Sequence, residues 1–126
     1  MSWFTNKLWF GFFGVSSRGH GFLVAAAGLI AALHAVLVGG FVLVRLRGLN
    51  FVRLHYTATL GVDWVDAWWN ALLFPCLGLA FMFVNGFFSG LLARRHRQYG
   101  VTIAFLTLII ESVLASGGVM AILLNA

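Results

Sequence analysis

Three long apolar blocks dominate the amino-acid sequence. The first covers residues 21–44, the second about 67–93 and the third about 99–124, and basic residues separate them. With a rise of about 1.5 Å per residue, a helix of this length crosses a hydrocarbon core about 30 Å thick. The pattern therefore predicts an all-α membrane protein in which residues 1–126 form a single domain of three transmembrane helices.

The segments outside the blocks are themselves partly apolar. Residues 1–19 lead into a block that is too long for a signal peptide and lacks a clear cleavage site, so they fit a signal anchor. They form either a short helix in the membrane interface or a tail held there by its tryptophans. Apolar residues from Phe51 to Trp64 predict a loop that lies against the external membrane surface. Asp63 and Asp66 follow near the start of the second helix, where either carboxylate is expected to cap it.

The positions of tryptophan and tyrosine agree with these spans. Both side chains concentrate at the level of the lipid headgroups, where an apolar ring and a polar N–H or O–H are each satisfied. One expected membrane surface carries Trp3, Trp9 and Tyr99, and the other carries Tyr56, Trp64, Trp68 and Trp69. Because hydrophobicity alone defines the spans, this agreement is an independent indication of three crossings.

The composition excludes a water-soluble fold. The chain is 62% hydrophobic and 9% charged, which leaves too few charged side chains to cover the exterior of a small globular domain. The net charge of +5 comes from basic residues placed outside the apolar blocks. Such residues are typical of topology signals and of contacts with anionic lipid headgroups. The lipid bilayer is therefore the expected partner, and nucleic acid is not.

Lysine and arginine near the ends of the spans predict the orientation, because they are more frequent on the cytoplasmic side. One side holds Lys7, Arg18, Arg94, Arg95 and Arg97, and the other holds Arg45, Arg47 and Arg53. This excess predicts a multi-pass protein of the cell membrane with its amino terminus in the cytoplasm and its carboxyl terminus outside.

The stretch VRLHYTATLGVDWVDAWWNALLFPCLGLAFMFVN, about residues 52–85, carries a series of His-Tyr, Gly-Val-Asp, Leu-Phe-Pro and Val-Asn pairs and triplets. It resembles a pattern in small uncharacterised bacterial integral membrane proteins with three helices, especially those of lineages with reduced genomes. That group has no established activity. The resemblance therefore implies the three-helix architecture and assigns no catalytic residue.

Two ionisable side chains lie near the middle of apolar blocks, where such groups are costly and indicate function by default. His34 is about midway along the first block and Glu111 about midway along the third, at similar depth. If these helices pack together, the imidazole and the carboxyl group can share a proton. Asn85 of the second block lies about one turn nearer the cytoplasm, so His34, Asn85 and Glu111 form a candidate polar cluster.

Small residues indicate where the helices meet. Gly86 and Gly90 form a GxxxG spacing, which permits the close approach of a helix from this chain or from a second copy. Gly118 lies on the face of the third block that carries Glu111, so this face is expected to point toward neighbouring helices. A homo-oligomer or a larger membrane complex is therefore an expected form of the protein.

Three functions fit this pattern. In the first, the protein is an accessory, scaffold or assembly component that acts through helix–helix contacts. His34 and Glu111 then form a structural clamp, in which each hydrogen bond contributes on the order of 1 kcal/mol. In the second, a small oligomeric channel or transporter moves protons or cations through the polar cluster. The sequence lacks the repeated acidic residues and inverted repeats of most transporters, which favours the first function. A holin-like pore former is the third.

Catalytic, cofactor and metal sites are not expected. Haem ligation by two histidines requires imidazoles at matching depth, and only His34 is deep. Of the other histidines, His20 and His96 stand at the cytoplasmic boundary and His55 on the other side, and each is interpreted as an interfacial polar residue. Phosphate-binding loops, nucleophile elbows and pairs of metal ligands are missing from the sequence. The single cysteine, Cys76, is interpreted as a small hydrophobic residue within a helix. The sequence therefore does not predict an enzyme.

Overall fold

The computed structural model describes residues 17–126, so the expected interfacial segment at the amino terminus lies outside the described residues. The elements in chain order are helix α1 (Arg18–His34), π-helical segments Ala35–Gly39 and Val42–Leu46, strands β1 (Val52–Thr57) and β2 (Gly61–Asp66), a 3-10 helix (Trp68–Leu72), and helices α2 (Leu73–Ala93) and α3 (Arg97–Asn125). The described chain is thus mainly helical, with one short hairpin.

Three helical stretches in this part of the chain are long and apolar enough to cross a membrane, judged by length and composition. They are Arg18–Leu46, Trp68–Ala93 and Arg97–Asn125, with mean hydropathies of 2.3, 2.0 and 2.0. Each contains most or all of one predicted apolar block. The expectation of three apolar helices is therefore confirmed at this level.

The three helices pack around a narrow core of small residues. Along α1 the buried positions recur every three or four residues, at His20, Val24, Ala27, Ala31 and His34. This spacing keeps one face of a helix against its neighbours. Helix α3 packs against both α1 and α2, and a tight turn connects it to α2. The core is therefore shared by all three helices.

The first span changes its winding directly after His34. Residues Ala35–Gly39 and Val42–Leu46 are π-helical, so the backbone turns are wider than in α1. The adjacent Gly39 and Gly40 weaken the preference for a regular α-helix at this point. Short π-helical segments are frequent beside functional residues, and this one begins at the residue that follows His34.

Proline inside a helix removes a backbone donor and can bend the helix. In the structure the 3-10 helix ends at Leu72 and α2 begins at Leu73, so Pro75 stands in the first turn of α2. Proline is tolerated in the first turn of an α-helix.

The loop between the first two spans is an antiparallel hairpin, which the expectation of an all-α chain missed. Val52 pairs with Asp66 and Thr57 with Gly61, with irregularities of register on either side of His55. Gly61 has a φ of 73°, a conformation that residues with a β-carbon rarely adopt. A period-two pattern was present at the start of β1, where Val52 and Leu54 are buried and Arg53 between them is exposed.

The hairpin covers one end of the helix bundle. Its buried Val52 and Leu54 join a hydrophobic cluster with the last turns of the first and third spans and the first turn of the second. The other buried members are Val38, Val42, Leu46, Ala71 and Ala121. The predicted loop thus packs on the ends of the helices.

Helix α3 holds β1 in place through one side chain. Asn125 Oδ1 accepts a hydrogen bond from the backbone N–H of Arg53 at 2.9 Å, and Asn125 Nδ2 donates to the Arg53 carbonyl at 2.6 Å. The same Nδ2 also donates to the Ala121 carbonyl at 2.8 Å. These bonds tie the hairpin to the end of the third span.

Candidate functional site

Five polar side chains are buried in the described part of the chain, and all of them lie on the inward faces of the three helices. They are His20 and His34 of α1, Ser89 of α2, and Thr107 and Glu111 of α3. Helical spacing places Glu111 one turn beyond Thr107, and His34 about four turns beyond His20. The buried polar groups therefore form a column inside the bundle, from the beginning of α1 to the layer of His34.

His34 and Glu111 lie together where the three helices meet. His34 Nδ1 is 3.4 Å and Glu111 Oε2 is 2.9 Å from the point that a β-carbon on Gly78 would occupy. His34 is 4% exposed and Glu111 is 0% exposed. The two side chains are thus close neighbours that are shielded from solvent by protein.

No hydrogen bond joins this pair. None of the four side-chain nitrogen and oxygen atoms of His34 and Glu111 has a hydrogen-bond partner within the described chain. A buried polar group left without a partner costs about 1–3 kcal/mol. Both residues are therefore held in place by packing and not by polar contacts.

Glycines on two helices make room for the pair. A β-carbon on Gly78 would contact Glu111 Oε2, and a β-carbon on Gly118 would overlap His34 Nε2 and approach Val38. Gly118 was predicted to serve helix packing, and it packs against the His34 ring. Gly78, which the sequence did not single out, admits both the imidazole and the carboxyl group from the α2 side.

The remaining predicted residues lie apart from this pair. Asn85 is half-buried, about two helical turns along α2 from Gly78, and it forms no hydrogen bond with His34 or Glu111. Gly86 and Gly90 are buried on the inward face of α2. The structure thus brings His34 and Glu111 together without Asn85, and it directs the GxxxG pair toward the interior of this chain.

The pair can exist in two forms without net charge. In one, a protonated Glu111 lies beside a neutral His34, and in the other, a carboxylate lies beside an imidazolium. The two forms differ by one proton transfer between neighbouring side chains, and neither places an unpaired charge in the apolar interior. Gain or loss of one proton leaves a net charge in this layer. Binding or loss of a proton therefore changes the electrostatic potential around His34 and Glu111.

A second buried histidine makes the contacts that were expected of a clamp. His20 Nε2 lies 2.6 Å from Ser89 Oγ, and Ser89 Oγ donates to the Gly100 carbonyl at 2.8 Å. Because Ser89 uses its only proton in that bond, His20 Nε2 is the donor to Ser89. The sequence suggested an interfacial polar residue at His20, and in the structure this side chain is 0% exposed and links α1 through α2 to α3.

Helical spacing is the sequence feature that could have indicated the bonded pair of His20 and Ser89. His20 and His34 lie about four turns apart and so share one face of α1. Ser89 lies on the same face of α2 as Gly78 and Gly86. Sequence reasoning missed that this face of α1 is already buried at His20, which directly precedes the predicted start of the first apolar block.

The hairpin carries its own histidine–aspartate pair. Asp63 Oδ1 lies 2.7 Å from His55 Nδ1 on the opposite strand, so Asp63 does not cap the second helix as expected. Asp66 Oδ1 accepts from the Ala67 N–H at 2.8 Å, just before the 3-10 helix. This bond, followed by one from the Asn70 side chain, lowers the pKa of Asp66. Both aspartates are therefore engaged at the hairpin.

Within residues 17–126 no group of three or more His, Cys, Asp or Glu side chains is placed to hold a metal ion. The chemistry available at the buried site is therefore that of an imidazole and a carboxyl group. Comparisons with protein-family models, with curated proteins and with solved structures gave no match for this chain.

Proposed function

We propose that this chain is a multi-pass membrane protein that takes up and releases a proton at His34 and Glu111. The observation that carries the proposal is the burial of both side chains against Gly78 without a hydrogen bond. An apolar pair of similar size would stabilise the bundle more than two unpartnered polar groups do. Ionisable groups in this position are typical of proton-handling sites.

The contrast with His20 supports this choice over a structural clamp. His20 and Ser89 are also buried, yet their side chains are hydrogen-bonded across three helices. A clamp gains its stability from such bonds, and His34 with Glu111 has none. The clamp interpretation thus accounts for the first pair and leaves the second without a structural purpose.

Proton uptake is expected to alter how α1 and α3 pack. A charged form of the pair in a low-dielectric layer favours any rearrangement that joins His34 to Glu111 by a hydrogen bond. Only a small movement is needed, because both side chains already border the same glycine. The protein would in this way convert proton binding into a change of helix contacts.

The proposal places the protein in the cell membrane, with the start of α1 toward the cytoplasm and the hairpin outside. Arg94 and Arg95 in the turn between α2 and α3 support this orientation, as do Arg97 at the start of α3 and the basic residues Lys7 and Arg18. The resemblance of residues 52–85 to small bacterial membrane proteins supports the same architecture.

Carbodiimide labelling tests the proposal. Dicyclohexylcarbodiimide reacts with a carboxyl group in its protonated form, and the adduct persists in apolar surroundings. For the protein in lipid nanodiscs, we expect mass spectrometry to find the adduct on Glu111, with a yield that falls as the pH rises. Asp63, which is exposed on the hairpin, serves as the internal control without a stable adduct.

Two variants test whether the label lies on Glu111 and whether its pH dependence involves His34. Glu111→Gln should remove the adduct, and His34→Gln should shift the pH at which the yield on Glu111 falls, because the neighbouring imidazole no longer titrates. A yield that does not depend on pH between acidic and alkaline buffers would contradict the proposal. So would an unchanged pH profile in His34→Gln.

An accessory or scaffold component remains the second candidate, and the outward faces of the helices favour it. Within the most apolar window of each span, only 33%, 28% and 22% of residues are buried in the chain. Ser112 and Ser116 lie on the exposed face of α3, one turn apart, with their hydroxyls bonded to carbonyls of the same helix. Such a face permits close contact with another helix.

Native mass spectrometry of the protein released from nanodiscs tests this second candidate. A scaffold is expected to retain a second copy or a co-purified membrane protein, and Ser112→Leu should release it because the larger side chain separates the helices. A monomer in both the parent and the variant would count against the scaffold function.

A further inference from the structure

We infer that Glu111 exchanges its proton with water at the end of the bundle where α1 begins, along the crevice between Ser89 and Thr107. This inference rests on the proposed function. It concerns the side from which the buried site is reached, and it gives Thr107 the role of a positioning residue for the proton.

The crevice runs through the core on one side of the His34 and Glu111 layer. Its walls are formed by Val24, Ala27, Met82, Gly86, Ser89, Ala104 and Thr107. Small side chains predominate, and Met82 is the flexible member of the set. The space is too narrow to hold a water molecule at rest, so exchange depends on movements of Met82 and its neighbours.

Polar groups line both ends of this crevice. At one end Ser89 is bonded to His20 and to the Gly100 carbonyl. At the other end the Thr107 hydroxyl donates to the Ile103 carbonyl at 2.7 Å, one turn from Glu111. The Thr107 oxygen retains acceptor capacity, so it can orient a water molecule that enters the crevice beside the carboxyl group.

The opposite side of the pair is closed by packed aliphatic residues. Val38, Val42 and Leu46 of the first span are 2%, 0% and 1% exposed, and they lie under the hairpin. The bonds of Asn125 hold β1 over this end. Among the described residues no buried polar side chain lies beyond His34 on this side. A water molecule would find no partner along that route.

The exchange step moves one proton and no electrons. When a movement of Met82 admits a water molecule beside Thr107 Oγ1, protonated Glu111 gives its proton to that water and becomes a carboxylate, and the hydronium ion formed carries the proton past Ser89 to bulk water. Uptake is the reverse. The titratable groups that face this route within residues 17–126 are His20 and His34 on α1 and Glu111 on α3, and α2 contributes only the hydroxyl of Ser89.

Infrared spectroscopy of the full chain in lipid nanodiscs separates this inference from the proposed function. The amplitude of the carboxylic C=O band of Glu111 as a function of pH, identified by its loss in Glu111→Gln, measures proton binding. The rate at which that band shifts after transfer into D₂O measures access. We expect Thr107→Val, which keeps the side-chain shape and removes the hydroxyl, to slow the shift by at least about tenfold.

Thr102→Val is the matched control, because Thr102 donates to the Gln98 carbonyl in the same way but is exposed on α3. It should leave the rate unchanged. Val42→Thr, which adds a hydroxyl on the hairpin side, should also leave it unchanged.

An unchanged rate of the D₂O shift in Thr107→Val, or a faster one in Val42→Thr, would overturn the inference about the route. The proposed function would still stand if the amplitude of the Glu111 band depends on pH. A band whose amplitude is independent of pH in the parent would overturn both. Thermal unfolding of each variant, recorded in parallel, confirms that the isosteric changes leave the fold intact.

Discussion

Gly100→Ala is expected to destabilise the bundle by about 3 kcal/mol. A β-carbon at this position would overlap the Ala93 β-carbon and would stand 2.7 Å from the Ser89 carbonyl oxygen and 2.9 Å from the Ala93 α-carbon. Two of these three atoms belong to the backbone of α2, so no rotation of a side chain can relieve the overlap. The helices must separate, and the bond from Ser89 to the Gly100 carbonyl is weakened as they do.

Unfolding by sodium dodecyl sulfate in mixed micelles, followed by circular dichroism, measures this loss. Gly40→Ala provides the control, because a β-carbon at Gly40 has no neighbour within 4 Å. Alanine also has the higher helix propensity, so this control should be as stable as the parent or more stable. Equal unfolding curves for the two variants would show that α2 and α3 are not in close contact at Gly100.

Glu111→Met is expected to act in the opposite direction and to stabilise the bundle by about 2 kcal/mol. The carboxyl group has no hydrogen-bond partner, so its removal loses no polar contact. Methionine is similar in length and flexible enough to fill the space beside Gly78 and His34. The same change should abolish carbodiimide labelling, because the reactive carboxyl group is gone. A gain in stability with a loss of proton binding is the pattern of a residue retained for function.

Ser89→Ala serves as the comparison in the same unfolding assay. Ser89 is bonded to His20 and to the Gly100 carbonyl, so its replacement leaves buried groups unsatisfied and should cost about 2 kcal/mol. If Glu111→Met instead lowers stability as Ser89→Ala does, the carboxyl group is part of a structural clamp. The sign of the change in the free energy of unfolding therefore decides between the two interpretations of Glu111.

Much of the candidate site was predictable from the sequence. His34 and Glu111 stand out because an ionisable residue in an apolar block is rare, and similar depth follows from counting residues along each span. Their neighbour Gly78 was not predictable, because glycine is common in membrane helices and nothing local to α2 shows which glycine faces an imidazole. Asn85 was grouped with them by depth, but depth does not determine the face of the helix on which a side chain lies.

The clamp at the other end shows the same limit. His20 stands at the edge of an apolar block, where hydrophobicity predicts contact with headgroups. Its burial depends on the close approach of α3 at Gly100 and on the hydroxyl of Ser89, two features from distant parts of the chain. A boundary drawn from local hydrophobicity contains no information about either contact.

The number of apolar helices, their approximate limits and the two ionisable residues within them follow from the amino-acid sequence alone, because length, hydrophobicity and charge are properties of each segment. The tertiary structure decided which faces turn inward, that a hairpin covers one end, and that His20 is bonded whereas His34 and Glu111 are not. These outcomes depend on contacts between residues far apart in sequence, such as Asn125 with Arg53. Such contacts are set by how the helices and strands pack together, and no single segment specifies them.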